Sequence, residues 1–238
     1  MNSGEHRALD VRPLAGLAHL LTMAQESGSV ADRLPGWMFR LALCEQAATS
    51  ALICSGWSMP ALLRTLAYEE AWQQDQFPAH RAEFRACCLD RSLPVRHDRR
   101  VRVLLDEAIL MRPVGGWQVM AEQLGHLADL SEAGAVCVRV VPLDRSALVP
   151  YWRVSALLLP GVLHLYMVES DHTVYCAGLD KGARQQHLLK KVLDAALPQG
   201  QSIDLLRQAR KAFRLAHARS ASPVIGTITP HPDGDDSL

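Results

Sequence analysis

Residues 100–116 read "RVRVLLDEAILMRPVGG", and this stretch decides how the middle of the chain folds. Its first four residues alternate basic and apolar side chains and two leucines follow, which is the pattern of a half-exposed strand. Trp117 then begins a run of apolar residues at helical spacing, directly after Gly115 and Gly116. The stretch therefore predicts a strand, a loop that carries an acid pair and a lone arginine, and a helix.

The second half of the chain is rich in short β-type segments separated by turn residues. They lie at residues 135–143, 152–159, 162–170 and 172–177. The last three are joined by tight turns, so they predict antiparallel pairing. The helix at 117–131 joins the strand at 100–105 to the next strand, and such a crossover is the connection that a parallel pair requires.

Helical spacing of apolar residues marks the two ends of the chain. The predicted helices lie at residues 14–24, 36–49, 61–74, 79–91, 180–196 and 202–217, while residues 50–60 fit either a strand or a loop. The sequence therefore predicts an α+β fold with N-terminal helices, a mostly antiparallel sheet of four to five strands, and two C-terminal helices. Residues 1–29 would form an extension with one amphipathic helix, residues 30–217 a single module, and residues 218–238 a disordered tail.

The composition is that of a globular protein without a marked charge. Lys and Arg number 25 and Asp and Glu number 25, so the formal net charge is +0, which argues against direct nucleic-acid binding. The polar N-terminus lacks the layout of a signal peptide, and the most apolar stretch is too short to cross a membrane. The six cysteines include no C-x-x-C pair, which argues against a zinc ribbon. We therefore expect a cytoplasmic protein with free thiols, no membrane contact, no metal and no cofactor.

Two segments carry a family resemblance: "MPALLRTLAYEEA" at residues 59–71 and "VLLDEAILMRPVGG" at residues 103–116. They resemble the C-terminal domain of unknown function that follows a helix-turn-helix in many XRE-type regulators of actinobacteria, the antitoxin-like, WhiJ-type regulators. In that family the segments typically read "PGLLQT-xx-YARA" and "VLDEAALRRPVGG". Met111 stands where the family usually has Arg, and Arg64 stands where Gln is common. The resemblance covers roughly residues 30–215.

The resemblance implies a regulatory module that senses a ligand or binds a protein. The residues before position 30 show one amphipathic helix and no helix-turn-recognition-helix pattern, so the family's DNA binding is not carried over. The implied partners are a small-molecule effector or a small protein, and a homodimer is left open. The alternative is a small-molecule enzyme of the cyclase or isomerase type, recruited from this fold into specialised metabolism and acting on a small-molecule substrate.

The loop between the strand and the helix allows three interpretations. It is architectural if Asp106 or Glu107 caps or pairs locally and the glycines form a turn. It is an anion site if the open N–H groups of the following helix act together with Arg112. It is catalytic if Glu107 is an acid–base group. The candidate ligand-binding residues are Arg112, Gly115, Gly116, Tyr68 and Trp117.

The alternative enzyme would rely mainly on polar groups of the later strands. Its candidate catalytic residues are Glu107, His164, Tyr166 and Glu169. His164 and Tyr166 are two residues apart, so they would share one face of a strand. A large enclosed pocket beneath the sheet that holds such groups would favour the enzyme, whereas an exposed apolar groove would favour the interaction protein.

Overall fold

A computed structural model describes residues 12–76, 100–145, 149–161 and 163–221 of the chain. Within these ranges seven strands form one sheet: β1 (Ser29–Asp32), β2 (Ser50–Ser55), β3 (Arg100–Asp106), β4 (Cys137–Val141), β5 (Arg153–Leu159), β6 (Leu163–Glu169) and β7 (Thr173–Ala177). The α-helices of the described ranges are α1 (Arg12–Ser27), α2 (Trp37–Ala47), α3 (Leu66–Gln76), α4 (Glu107–Met111), α5 (Gly116–Glu132), α6 (Ala183–Ala195) and α7 (Gln199–Ala221). A 3-10 turn at Ala61–Leu63 precedes α3. The fold is therefore α+β, as the sequence predicts.

The sheet is mixed, with strand order β1-β7-β6-β5-β2-β3-β4. Strand β3 runs parallel to β2 and to β4, and the other neighbouring pairs are antiparallel. The parallel pairing predicted for β3 and β4 is confirmed, and α5 is the helix that connects them. The antiparallel order predicted for the last three strands is also confirmed.

The predicted strand number is too low, because two strands escape the sequence pattern. Strand β2 lies between β5 and β3 and is covered on both faces, so its side chains show no clean alternation. Strand β1 is only four residues long and forms the edge of the sheet through its pairing with β7, which is distant in sequence. The sheet is therefore seven-stranded and mixed rather than four- to five-stranded and mostly antiparallel.

The helices cover both faces of the sheet unequally. The larger core lies on the face that packs against helices α1, α2, α3, α5 and α7. The smaller core lies on the other face, where Leu189 and Val192 of α6 pack against Leu104 of β3 and Tyr166 of β6. Because β3 is covered from both sides, the consecutive residues Val103, Leu104 and Leu105 are all fully buried.

The two ends of the chain differ in part from the sequence prediction. Helix α1 contributes Leu20 and Ala24 to the larger core, so it packs on the sheet. Helix α7 continues to Ala221, beyond the predicted start of the tail at residue 218. The rest of the predicted tail and the predicted helix at 79–91 lie outside the described residues. Over the described ranges, no helix is long and apolar enough to cross a membrane.

Candidate functional site

The parallel strands β2, β3 and β4 have their carboxyl ends on the same side of the sheet, and α/β proteins commonly bind ligands at such strand ends. The stretch from Asp106 to Gly116 follows the carboxyl end of β3. Asp106 caps α4, because its Oδ1 accepts a hydrogen bond from the Ala108 N–H at 2.8 Å. The Oε2 of Glu107 accepts a hydrogen bond from the Leu143 N–H, also at 2.8 Å. The acid pair thus starts a short helix and ties the ends of β3 and β4 together.

The two glycines that follow have different surroundings. Both have a left-handed backbone, with φ of 70° at Gly115 and 88° at Gly116. A Cβ at Gly115 would lie 2.7 Å from the Cβ of Ala71, so this glycine lets the start of α5 approach α3 closely. A Cβ at Gly116 would meet no heavy atom within 4 Å. Only Gly115 is therefore required for packing.

A small aromatic cleft of about 130 Å³ lies on one side of α4. It is lined by Trp57, Ser58, Tyr68, Trp72, Asp75, Ile109, Arg112 and Val114, and it is called the aromatic cleft below. The guanidinium carbon of Arg112 lies 4.5 Å from the ring centroid of Trp57, which is the geometry of a cation–π contact. Arg112 also donates a long hydrogen bond of 3.5 Å to the Trp57 carbonyl, and it forms no ion pair with any described residue. Its positive charge is thus held at the cleft without a described acidic partner.

A second arginine fixes the opposite wall of the aromatic cleft. The guanidinium of Arg64 lies 3.8 Å from the ring centroid of Trp72 and pairs with Glu69 at 2.8 Å. Burial raises the pKa of the Tyr68 phenol above its ordinary value, so this side chain is neutral at physiological pH. The cleft therefore combines aromatic walls with one cation, Arg112, and one carboxylate, Asp75, which has an interaction of its own.

An apolar groove of about 490 Å³ lies on the other side of α4. It is lined by Glu107, Leu110, Met111, Trp117, Leu205, Gln208, Ala209, Ala212, Phe213 and Ala216, and it is called the apolar groove below. Met111 is 61% exposed and Trp117 is 40% exposed, which is unusual for large apolar side chains. The Trp117 and Phe213 rings contact each other, with centroids 5.7 Å apart.

The structure divides the predicted ligand-binding residues between these two places. Arg112 and Tyr68 line the aromatic cleft, whereas Trp117 lines the apolar groove. Gly115 lies between α3 and α5 as a packing residue, and Gly116 lines neither place. The five residues therefore do not line one pocket, because α4 lies between the aromatic cleft and the apolar groove.

The predicted catalytic residues are not brought together either. Glu107 lies beyond the end of β3, whereas the other three lie on β6. Tyr166 belongs to the smaller core under α6, and the Cβ of any larger residue at Gly182 would overlap its ring. Glu169 has the opposite orientation on β6 and forms an ion pair with the buried Arg153. His164 has the same orientation as Tyr166, and its carbonyl accepts a hydrogen bond from the Gly178 N–H.

Cysteine and metal chemistry give no further site in the described part of the chain. Cys44, Cys54 and Cys176 are buried free thiols, and Cys137 is a half-buried one. Burial raises the pKa of Cys44 and Cys54 to about 12, so both remain protonated and unreactive near neutral pH. No group of three or more His, Cys, Asp or Glu side chains that could hold a metal ion occurs among the described residues.

Sequence reasoning did not assign Trp57 and Trp72 to the aromatic cleft, nor the face of α7 to the apolar groove. The two tryptophans lie on different elements, so no local pattern connects them. On α7 the spacing of Leu205, Ala209, Ala212 and Ala216 is helical, but alanines give little hydrophobic contrast.

Comparison with known proteins identifies one family. The model of a domain of unknown function (DUF5753) matches residues 39–208, which is more than two thirds of the chain and includes both the aromatic cleft and the greater part of the apolar groove. No curated protein matches the chain. The chain therefore belongs to the DUF5753 family.

Proposed function

We propose that this chain is a regulatory, ligand-sensing module of the kind found in antitoxin-like, XRE-type regulators, and that its effector binds in the aromatic cleft. The observation that carries this proposal is Arg112, whose guanidinium is stacked on Trp57 and has no acidic partner among the described residues. This guanidinium is exposed beside the cleft, and its N–H groups match the two oxygens of a carboxylate. The effector is accordingly a small carboxylate.

The size and walls of the aromatic cleft limit the effector further. Its volume of about 130 Å³ is below that of sites for drug-sized ligands, which take roughly 300–1,000 Å³. The cleft therefore accepts a carboxylate with a compact apolar or planar body. The indole of Trp57 and the side chains of Ile109 and Val114 would contact that body.

Two features support a sensing module over the alternative enzyme. The four predicted catalytic residues occupy both faces of β6 and the end of β3, and neither the aromatic cleft nor the apolar groove holds them together. The groove beside α4 is exposed and apolar, which is the feature expected of an interaction protein. The described cysteines are free thiols, which suits a cytoplasmic location.

Titration with benzoate tests the proposal, because benzoate is a compact planar carboxylate and benzamide is its uncharged analogue. We expect saturable benzoate binding by calorimetry and weak or no benzamide binding. Arg112 is exposed, so its pair with benzoate is worth up to about 1 kcal/mol, and Arg112→Ala should weaken benzoate binding by up to about fivefold. Arg184→Ala, which removes an exposed arginine on α6, is the matched control and should leave the affinity unchanged. Equal binding of benzoate and benzamide, or an unchanged affinity in Arg112→Ala, would overturn the proposal.

A further inference from the structure

The apolar groove is long enough and apolar enough to be a ligand site in its own right. Its α7 wall runs from Leu205 to Ala216, which at about 1.5 Å per residue is roughly 16 Å. Its volume of about 490 Å³ falls in the range of sites for drug-sized ligands. Helix α4 separates it from the aromatic cleft, so the two sites can be occupied and tested independently.

Glu107 gives the apolar groove its chemical selectivity. It is the one ionisable side chain among the residues that line the groove. Its Oε2 is engaged by the Leu143 N–H, and Oε1 forms no hydrogen bond with any described residue. A neutral or anionic ligand that covered this carboxylate would remove it from water without compensation, whereas a cation would pair with it.

The aromatic side chains of the groove favour the same class of ligand. The rings of Trp117 and Phe213 contact each other and both line the groove, and the exposed indole of Trp117 can contact a cation or an alkyl chain. Met111 is an exposed, unbranched and polarisable side chain, which adapts to apolar ligands of different shape. Ala209, Ala212 and Ala216 leave room along α7 for the body of such a ligand.

We infer that the apolar groove binds a hydrophobic ammonium compound, whose amine pairs with Oε1 of Glu107 and whose apolar body lies along α7. The inference goes beyond the proposed function and does not depend on the aromatic cleft. It assigns to Glu107 the role of a specificity-determining residue rather than an acid–base group. The same side chain holds the end of β4 through Oε2, so the ligand would bind at the junction of α4 and β4.

Three compounds of equal chain length separate the charge from the apolar contact: decylammonium, decanol and decanoate, each below its micelle concentration. We expect decylammonium to bind about tenfold or more tightly than decanol, and decanoate to bind most weakly. Glu107→Gln keeps an oxygen for the Leu143 N–H, so it should fold normally and reduce decylammonium affinity to that of decanol. Glu122→Gln, on the exposed surface of α5, is the control and should change nothing.

A second variant tests the location of the ligand. Ala212→Trp fills the apolar groove and should abolish binding of decylammonium and decanol, while benzoate binding in the aromatic cleft should persist. Equal affinities for decylammonium and decanol, or a charge preference that survives Glu107→Gln, would overturn the inference. The inference would also be overturned if the apolar groove bound none of the three compounds and instead held a co-purified protein that the Ala212→Trp variant no longer binds. A failure of benzoate binding alone would instead count against the proposed function.

Discussion

Asp32→Asn is the substitution whose effect on stability follows most directly from the structure. Asp32 is fully buried, and its two carboxylate oxygens accept hydrogen bonds from Nε and Nη2 of Arg40, both at 2.7 Å. Arg40 is buried as well, so neither charge has access to water. The asparagine keeps one acceptor but removes the negative charge, which leaves the guanidinium buried without a counter-ion.

The expected loss is large because a broken buried ion pair typically costs about 3–5 kcal/mol. Arg40 retains hydrogen bonds to the carbonyls of Leu34 and Pro35, at 3.0 Å and 3.2 Å, so we expect a value near the lower end. For a domain of this size, 1 kcal/mol corresponds to roughly 2–4 °C in Tm, so a loss of about 3 kcal/mol should lower the Tm of the variant by about 6–12 °C.

Urea unfolding and calorimetry measure this difference. The control is Glu132→Gln, which breaks the pair between Glu132 and Arg207 on the exposed faces of α5 and α7. Its Tm should match that of the wild type within error, because exposed pairs contribute little. A loss below about 1 kcal/mol for Asp32→Asn would refute the reasoning, and with it the conclusion that β1 and α2 are joined by a buried ion pair.

The other predictions concern the two cores. Gly182→Ala should destabilise the fold by about 1–3 kcal/mol, because the new Cβ would overlap the ring of Tyr166, and Tyr166→Ala should relieve part of that cost in a double-mutant cycle. Strictly additive losses in that cycle would contradict the close packing. Stability should also fall in alkali, since the pKa of Cys44 and Cys54 is about 12 in the folded chain against about 9 when unfolded. The thiols' contribution is complete below pH 9 and is lost as the pH rises toward 12, by about 2 kcal/mol for each thiol at pH 10.5. Between pH 8 and pH 10.5, urea unfolding should show a smaller loss of stability for a variant with alanine at both positions than for the wild type. An equal loss in the two proteins would contradict the raised pKa of the two thiols.

The centre of the fold is readable from the sequence because its local patterns are strong. The alternation in β3 and the glycines before Trp117 predict the strand and α5 at their observed places. Strand β1 is not readable, because its pairing with β7 and the ion pair of Asp32 with Arg40 arise only in the folded chain. Strand β2 is ambiguous for a related reason, since its neighbours cover both of its faces.

The sequence draws attention to the stretch that begins at Asp106, and the structure places two concave surfaces beside it. The sequence gives no sign that residues 107–111 form a helix. That short helix places Ile109 on the aromatic cleft and Leu110 on the apolar groove. Five residues are too few for a periodic pattern, so the separation into two sites is visible only in three dimensions.

Native mass spectrometry of the gently purified chain, compared with its Arg112→Ala variant, tests the central claim most directly. We predict a bound small molecule that bears a carboxylate, is lost on denaturation, and is less abundant on Arg112→Ala. Equal amounts of the same carboxylate on both proteins, or a stoichiometric protein partner with no small molecule on either, would contradict the assignment of the aromatic cleft as the effector site.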